Sequence, residues 1–223
     1  MGLIDTILSV LVPPHRAGRP FIAGSAAVAA AGLFLHPAVV ILGLAATLFC
    51  LYFFRDPERV PSPIPGAVLS PADGRIVLVG HAVPPPELGL GTEPRPRIAI
   101  FLSVLNVQVN RAPVSAVATK IAYHAGQFLN ASMDKASEVN ERNAILLTLP
   151  DGRTMAVVQI AGLIARRILC DLREGDSIAA GDRFGIIRFG SRTDLYLPPG
   201  VKPVVSVGQT AIGGETVMAV LEP

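Results

Sequence analysis

The chain has 223 residues, a formal net charge of +2, 51% hydrophobic residues, a mean hydropathy of +0.52 and no Trp. So weak a positive charge argues against nucleic acid as a partner and suits a surface that meets anionic lipid, while the length allows one domain or a small domain with a membrane segment. Two cysteines, Cys50 and Cys170, form neither a disulfide framework nor a metal-ligand spacing, so no metal site is expected and a reducing cytoplasmic setting is the default.

The apolar residues are concentrated near the N-terminus. Over residues 1 to 14, Leu3, Ile4, Ile7, Leu8 and Leu11 recur at helical spacing, which predicts a short amphipathic helix lying in an interface, with an ordinary packed helix as the alternative. Gly2 with Thr6 fits a myristoylation pattern too permissive to carry weight. From Pro20 to Phe54 there is no Asp, Glu, Lys or Arg, a run of about 35 residues against the roughly 20 needed for one spanning helix. His36-Pro37 divides it into halves that are short for a full crossing, so the run reads as a hairpin that dips into the membrane and returns. Arg16 and Arg19 precede it and Arg55 and Arg59 follow, which places both ends on the cytoplasmic face of the cell membrane. The run is too long and too uniformly Ala-rich for a cleaved signal peptide; two buried core helices are the remaining alternative. Residues 1–59 are therefore expected to be a membrane-associated helical segment and 60–223 a separate domain.

After Arg55 the composition turns to strands and turns. Pro61, Pro63 and Pro65 make a rigid linker, and 67–80 reads as two strands around a Pro-Ala-Asp-Gly turn in which Asp73, on the residues alone, is turn chemistry. Residues 81–96 are Pro- and Gly-rich and read as a surface loop, and 97–103 is a strand. His124 stands alone, the usual pattern of a structural hydrogen-bonding residue. A polar stretch over 130–143 leads to a strand at 144–149, a Pro150-Asp-Gly152 turn and a strand at 154–160. Arg142, and then Arg166 and Arg167, are candidates for a phosphate contact or for surface ion pairs, and Arg111 is a further candidate for a phosphate contact. Both 174–182 and 207–221 alternate apolar residues with Gly, as do short-stranded barrels related to biotinyl and lipoyl carriers. A carrier or binding module is thus the rival class, although no lysine is suitably placed for modification. The expected fold is mainly β (α+β), a short-stranded barrel or sandwich behind an N-terminal apolar helical segment.

Within 183–198, Phe184, Ile186 and Ile187 lead into Gly190-Ser191, and Leu195, Tyr196 and Leu197 follow, so the Gly-Ser pair falls inside what reads as a strand. A glycine there marks a bulge or a close approach. Most Gly-Ser pairs are turns, but a strained one lets the serine Oγ attack the preceding carbonyl, and elimination from the resulting ester cuts the chain and leaves a pyruvoyl group in place of Ser191.

The run Arg-Phe-Gly-Ser-Arg-Thr-Asp-Leu-Tyr-Leu-Pro ending at Pro198 resembles the maturation site of the phosphatidylserine decarboxylase proenzymes in their short bacterial form. Tyr-Phe-Phe-Arg-Asp-Pro-Glu-Arg (52–59), Ser-Pro-Ala-Asp-Gly (70–74) and Phe-Leu-Ser-Val-Leu-Asn-Val-Gln-Val-Asn-Arg-Ala-Pro-Val (101–114) resemble family segments in the same order, so the likeness covers nearly everything after residue 50. The resemblance implies cleavage between Gly190 and Ser191 into two chains that stay associated, with homo-oligomers also expected. It further implies a covalent pyruvoyl cofactor from Ser191 that serves as electron sink, and decarboxylation of membrane phosphatidylserine to phosphatidylethanolamine. By the same resemblance Asp73 is the acidic member of an Asp-His-Ser set. The family usually carries its histidine where this chain has Gln108 or Arg111. A Gln amide cannot take a proton near pH 7, so Asp73, or His124 brought near by folding, is left to receive the proton of Ser191, and Gln108 to position substrate or water. Gly213-Gly-Glu-Thr216 resembles the cut site of the long-form enzymes, but Glu215 stands where that form needs serine. The alternatives are a decarboxylase of another serine-headed lipid, such as an archaeal-type ether lipid, and a non-cleaving membrane-associated β-barrel binding protein.

Overall fold

The computed structural model describes residues 12–126, 139–162, 167–188 and 190–222. The amphipathic helix expected over residues 1 to 14 falls almost entirely outside them, as does Arg166. The chain forms two compact units, 1–58 and 59–223.

The first unit is a helical hairpin of α1 (Arg19–Leu35) and α2 (Pro37–Phe53). Pro37 cannot continue α1, and His36 between them is extended (φ −166°), its Nδ1 accepting from the Ala38 N–H to cap α2. Small residues let the helices cross closely: a Cβ on Gly43 would lie 2.5 Å from the Ala29 backbone nitrogen, and one on Gly32 2.6 Å from that of Val40. Thr47 donates to Ser25 across the pair at 3.0 Å. The two ends close together through backbone bonds from His15 to Phe54 and from Asp56 to Pro13. Around this narrow seam the helices turn their side chains outward, and Leu33, Phe34 and Leu35 at the tip are 73%, 90% and 73% exposed. Buried core helices are not of this kind. Arg16–Leu35, counted with its opening 3₁₀ turn, is long and apolar enough to cross a membrane by length and composition.

The second unit is built of short antiparallel strands. In chain order they are β1 (Ala67–Leu69), β2 (Gly74–Ala82), β3 (Arg95–Leu102), β4 (Val109–Arg111), β5 (Ala116–His124), β6 (Arg142–Thr148) and β7 (Thr154–Ala161). There follow β8 (Arg167–Cys170), β9 (Ser177–Ile178), β10 (Arg183–Arg188), β11 (Ser191–Tyr196), β12 (Thr210–Ala211) and β13 (Val217–Val220). Eight of them, in the order β12-β2-β3-β11-β7-β6-β5-β9, form a sheet that curls into a half-barrel; β4-β10-β8 and β1-β13 form two smaller sheets. The fold is mainly β, as expected. Period-two alternation sorts the side chains. Ile98, Ile100, Leu102, Ile145, Leu147, Met155, Val157 and Leu195 share the inner face and the main core, while Ala144, Ala156, Val158, Ile160 and Tyr196 lie on the outer face under Leu88.

Three details depart from the sequence reading. The strands flanking the Pro-Ala-Asp-Gly turn do not pair with each other: β1 joins β13 and β2 joins β3, so the turn links two sheets. The Pro-rich excursion is more than a surface loop, since its 3₁₀ turn Pro86–Leu88 buries Leu88 against the outer face. Gly190 does not interrupt one strand but stands at the corner between β10 and β11, which belong to different sheets.

Close approach explains Gly74, where a Cβ would sit 2.2 Å from the Phe101 carbonyl oxygen, whereas at Gly80 on the same strand the nearest atom is 3.7 Å away. Gly74→Ala is therefore expected to cost about 1–3 kcal/mol and Gly80→Ala to stay within about 0.5 kcal/mol, measured as shifts in denaturation midpoint.

Candidate active site

Ser191 opens β11 and is fully buried, paired in register with Leu102 of β3 on one flank and Ala161 of β7 on the other. Alternation turns its side chain to the inner face with Thr193 and Leu195. Its Oγ has no hydrogen-bond partner among the described residues. A buried hydroxyl left unpaired is costly and rare in a folded protein. The residue before it, Gly190, has φ 71°, a left-handed conformation that glycine adopts without penalty. Chain direction, burial and backbone conformation thus leave a free hydroxyl next to the Gly190 carbonyl.

The inner face beside Ser191 carries a row of buried amides. Asn143 donates to Gln159 (2.9 Å), Gln159 to Asn110 (2.8 Å), and Asn110 to Thr193 Oγ1 (3.3 Å). The register sets Asn143, Gln159 and Thr193 side by side on β6, β7 and β11. Strand β10 closes over them at Gly185, where a Cβ would lie 3.1 Å from Gln159 Nε2. The only sequence signal for this row was a polar residue inside an apolar strand, as Gln159 is in Ala-Val-Val-Gln-Ile.

Gln108 lies at the same end of the sheet. Its Nε2 donates to the carbonyls of Ser103 (2.7 Å) and Asn106 (3.0 Å), and Ser103 directly follows Leu102, the residue opposite Ser191. Two carbonyl acceptors fix which end of the amide is nitrogen. The remaining end, Oε1, is a buried acceptor with no partner among the described residues. The Gln108 carbonyl accepts from Ile187 N–H, tying the loop to β10 just ahead of Gly190.

Asp73 comes to this end as well. Its turn is pinned to β4 by Arg111 N–H on the Pro71 carbonyl (3.0 Å) and by the Asn110 amide on the same oxygen. Asp73 precedes β2, and β3 separates β2 from β11, so its backbone is about 10 Å from that of Ser191, two strand spacings. Gln108 is anchored on the end of β3, the strand between β2 and β11. The carboxylate accepts from Gly213 N–H (2.9 Å) and from Arg59 (2.7 Å).

Other sequence candidates lie elsewhere. His124, at the end of β5, is exposed and registers with Arg142 on the outer face, opposite to Ser191. Arg111 is buried and donates to the Gly181 carbonyl. Arg167 is exposed on β8, directly opposite Arg188 of β10, and burial followed by the Arg167 charge holds Arg188 below the usual arginine range.

Behind Ser191 the outer face holds a buried charge network. Arg192 makes a bidentate pair with Asp194 (2.6 and 3.0 Å), with Arg97 3.6 Å from the same carboxylate. Burial, then the Asp194 carboxylate, push the Tyr196 phenol up. Glu87 pairs with Arg142 at 2.8 Å; burial opposes its ionisation, but the bond and charge of Arg142, a backbone bond and the nearby His124 together outweigh it and hold the carboxyl below its usual range. Among the described residues no cluster of His, Cys, Asp and Glu could hold a metal.

Comparison with known proteins shows the family. The family model for phosphatidylserine decarboxylase matches residues 46–219. The chain is 66% identical over 223 residues to a phosphatidylserine decarboxylase proenzyme of Granulibacter bethesdensis, covering all of this chain and 91% of the relative. It is 63% identical to the proenzyme of Gluconacetobacter diazotrophicus, over 98% of this chain and 99% of the relative, and 58% identical to that of Gluconobacter oxydans, over 99% and 100%. A full-length match of this kind, on a mainly β unit with a buried unpaired serine behind a left-handed glycine, places the chain in the phosphatidylserine decarboxylase family.

Proposed function

We propose that the protein cuts its own chain between Gly190 and Ser191, carries a pyruvoyl group made from Ser191, and with it converts phosphatidylserine to phosphatidylethanolamine at the cytoplasmic face of the cell membrane. Decarboxylation of phosphatidylserine is the family's reaction, and neither a carrier module nor a non-cleaving binding protein is favoured beside it. The observation that carries the self-cleavage reading is the buried, unpartnered Ser191 Oγ behind Gly190. The site also fits the group: position 191 is buried and flanked by strands on both sides, and among the described residues the only non-neighbouring atom near a Cβ built on Gly190 is Val104 Cγ1 at 3.9 Å. Such a group supplies a carbonyl conjugated to an amide, which takes up the electron pair left by departing CO2.

For cleavage, the Ser191 hydroxyl must give up its proton as Oγ adds to the Gly190 carbonyl carbon. Gln108 cannot receive it, because an amide is not basic near pH 7. Asp73 is the acceptor in this reading. The two-strand separation calls for a bridging water, and Gln108 Oε1, a buried acceptor without a partner among the described residues on the loop after the intervening strand, is the group that would hold it. His124 has no part, being on the other face. Arg167, with Arg188 opposite it, forms a cationic pair two residues before Gly190 that suits the substrate phosphodiester, with Arg166 adjoining it in the sequence.

Association of the two product chains has a topological basis. The shorter product would contribute β11 to the middle of the large sheet, β12 to its edge and β13 to the pair with β1. The exposed apolar hairpin supports membrane attachment. At 17 residues each, its helices are about 25 Å long, short of the ~30 Å hydrocarbon core, so the hairpin enters and returns.

Mass spectrometry of the denatured protein should find two chains meeting at Gly190, the smaller one lighter than the encoded 191–223 peptide by one ammonia. Ser191→Ala should give one uncut, inactive chain; activity in that variant would overturn the pyruvoyl assignment. Gln108→His should speed cleavage by about tenfold or more, since positioned acid–base catalysis contributes 10²–10⁴-fold; an unchanged rate in a pulse-chase assay would remove position 108 from the proton path. Phe34→Asp with Leu35→Asp should shift the protein from liposome pellet to supernatant, because each buried Asp costs about 2.5–3.5 kcal/mol.

A further inference from the structure

Arg59 is the first residue of the β unit, and the chain around it is fastened to that unit at several points. Its guanidinium donates to Asp73 Oδ2 at 2.7 Å, with both side chains only 15% exposed. Val60 N–H donates to Glu215 Oε1 at 3.1 Å. Pro61 packs where a Cβ on left-handed Gly181 would meet its Cγ at 2.7 Å. The other Asp73 oxygen accepts from Gly213 N–H at 2.9 Å. Each oxygen of the carboxylate is therefore held by a donor, one from before the scissile bond and one from after it. Gly214 lets these segments meet, since a Cβ there would come within 2.8 Å of Arg111 Cδ and 3.5 Å of Arg59 Cβ.

An ion pair with little solvent contact does two things that a turn hydrogen bond cannot: it favours the ionised carboxylate over a range of pH, and it fixes the direction in which the remaining lone pairs point. Of the charged residues on the elements packed against the turn, Arg111 donates to the Gly181 carbonyl, Glu215 accepts from Val60, and Arg59 is in ion-pair contact with Asp73. Nε–H of Arg59 is also buried, with no acceptor among the described residues. We infer that Arg59 is a positioning residue for self-cleavage, keeping the Asp73 carboxylate ionised and aimed at the Ser191 end of the sheet. The inference rests on the proposed role of Asp73.

The test follows cleavage of the full chain made by cell-free synthesis, as a function of pH, for wild type, Arg59→Met, Arg59→Lys, Asp73→Asn and the Arg59→Met/Asp73→Asn pair. Cleavage requires the carboxylate, so its rate rises with pH through the titration of Asp73; loss of the neighbouring cation should move that acid limb up by roughly one to three pH units. Arg59→Met should therefore be slow at neutral pH and recover at higher pH, Arg59→Lys should stay close to wild type, and the pair should be no slower than Asp73→Asn alone. Added guanidinium ion should restore part of the Arg59→Met rate, which a merely structural loss would not allow. If Arg59→Met proves too unstable to assay, the Lys variant decides: a lysine ammonium in contact with Asp73 should keep the acid limb within about one unit of wild type, and a limb displaced as far as that of a chain lacking the cation would overturn the role of charge. A wild-type rate and profile in Arg59→Met, with Asp73→Asn slow, overturns the inference alone. A wild-type rate in Asp73→Asn overturns the reading of Asp73 beneath it.

Discussion

Strand β11 is hydrogen-bonded on both flanks, to β3 and to β7, from Ser191 to Tyr196, so the residue at its head cannot reach solvent without breaking a ladder. Everything about the site depends on that double pairing. It keeps the Ser191 hydroxyl away from water, where it would otherwise be satisfied, and the inner-face neighbours Leu102 and Ala161 offer it no acceptor. An unpaired buried hydroxyl raises the energy of the intact chain. Any step that gives the oxygen a bond relieves that cost, and the nearest electrophile is the Gly190 carbonyl.

The same pairing explains how a cut need not dissolve the fold. On the outer face, directly behind Ser191, Arg192 and Asp194 lock the start of β11 with two short charge-assisted bonds, and Arg97 adds a third charge from β3. Removing one member of such a buried group would strand the others, so the strand end is held by side chains as well as by its ladder. The amide row on the inner face, from Asn143 through Gln159 and Asn110 to Thr193, ties β4 and β6 to the same end. Its donors and acceptors are matched, which makes it a rigid wall rather than a reactive one.

Two of the buried side-chain atoms without a partner among the described residues lie at this end of the sheet: Ser191 Oγ, on the residue opposite Leu102, and Gln108 Oε1, on a side chain bonded to Ser103. A histidine between Asp73 and Ser191 would pass a proton directly. Glutamine at position 108 lacks that basicity, so in the proposed reaction the proton goes to a carboxylate that is itself held by Arg59 and Gly213. This arrangement ties the chemistry to how well that carboxylate is oriented.

Much of this was legible in the residues. The uncharged run of 20–54 with His36-Pro37 at its centre specified a helical hairpin, because proline stops a helix and apolar side chains without charge need no further instruction. Alternation and Gly-rich turns specified short antiparallel strands, and Gly190-Ser191 with its flanking motif marked the bond for which cleavage is proposed. Which strands pair was not legible: β1 and β2 flank one turn yet join different sheets, since pairing is chosen by long-range burial and not by the turn between them. Nor was the partition of the candidates, because register alone puts Ser191 on the inner face and His124 with Arg142 on the outer one. The contact between Arg59 and Asp73, 14 residues apart across a proline linker, and the closure of that carboxylate by Gly213, 140 residues away, exist only once the sheets are folded together. Sequence by itself determined the chemical groups and their local geometry; tertiary structure decided which of them meet, because burial on a shared face is a property of the assembled sheet and not of any segment.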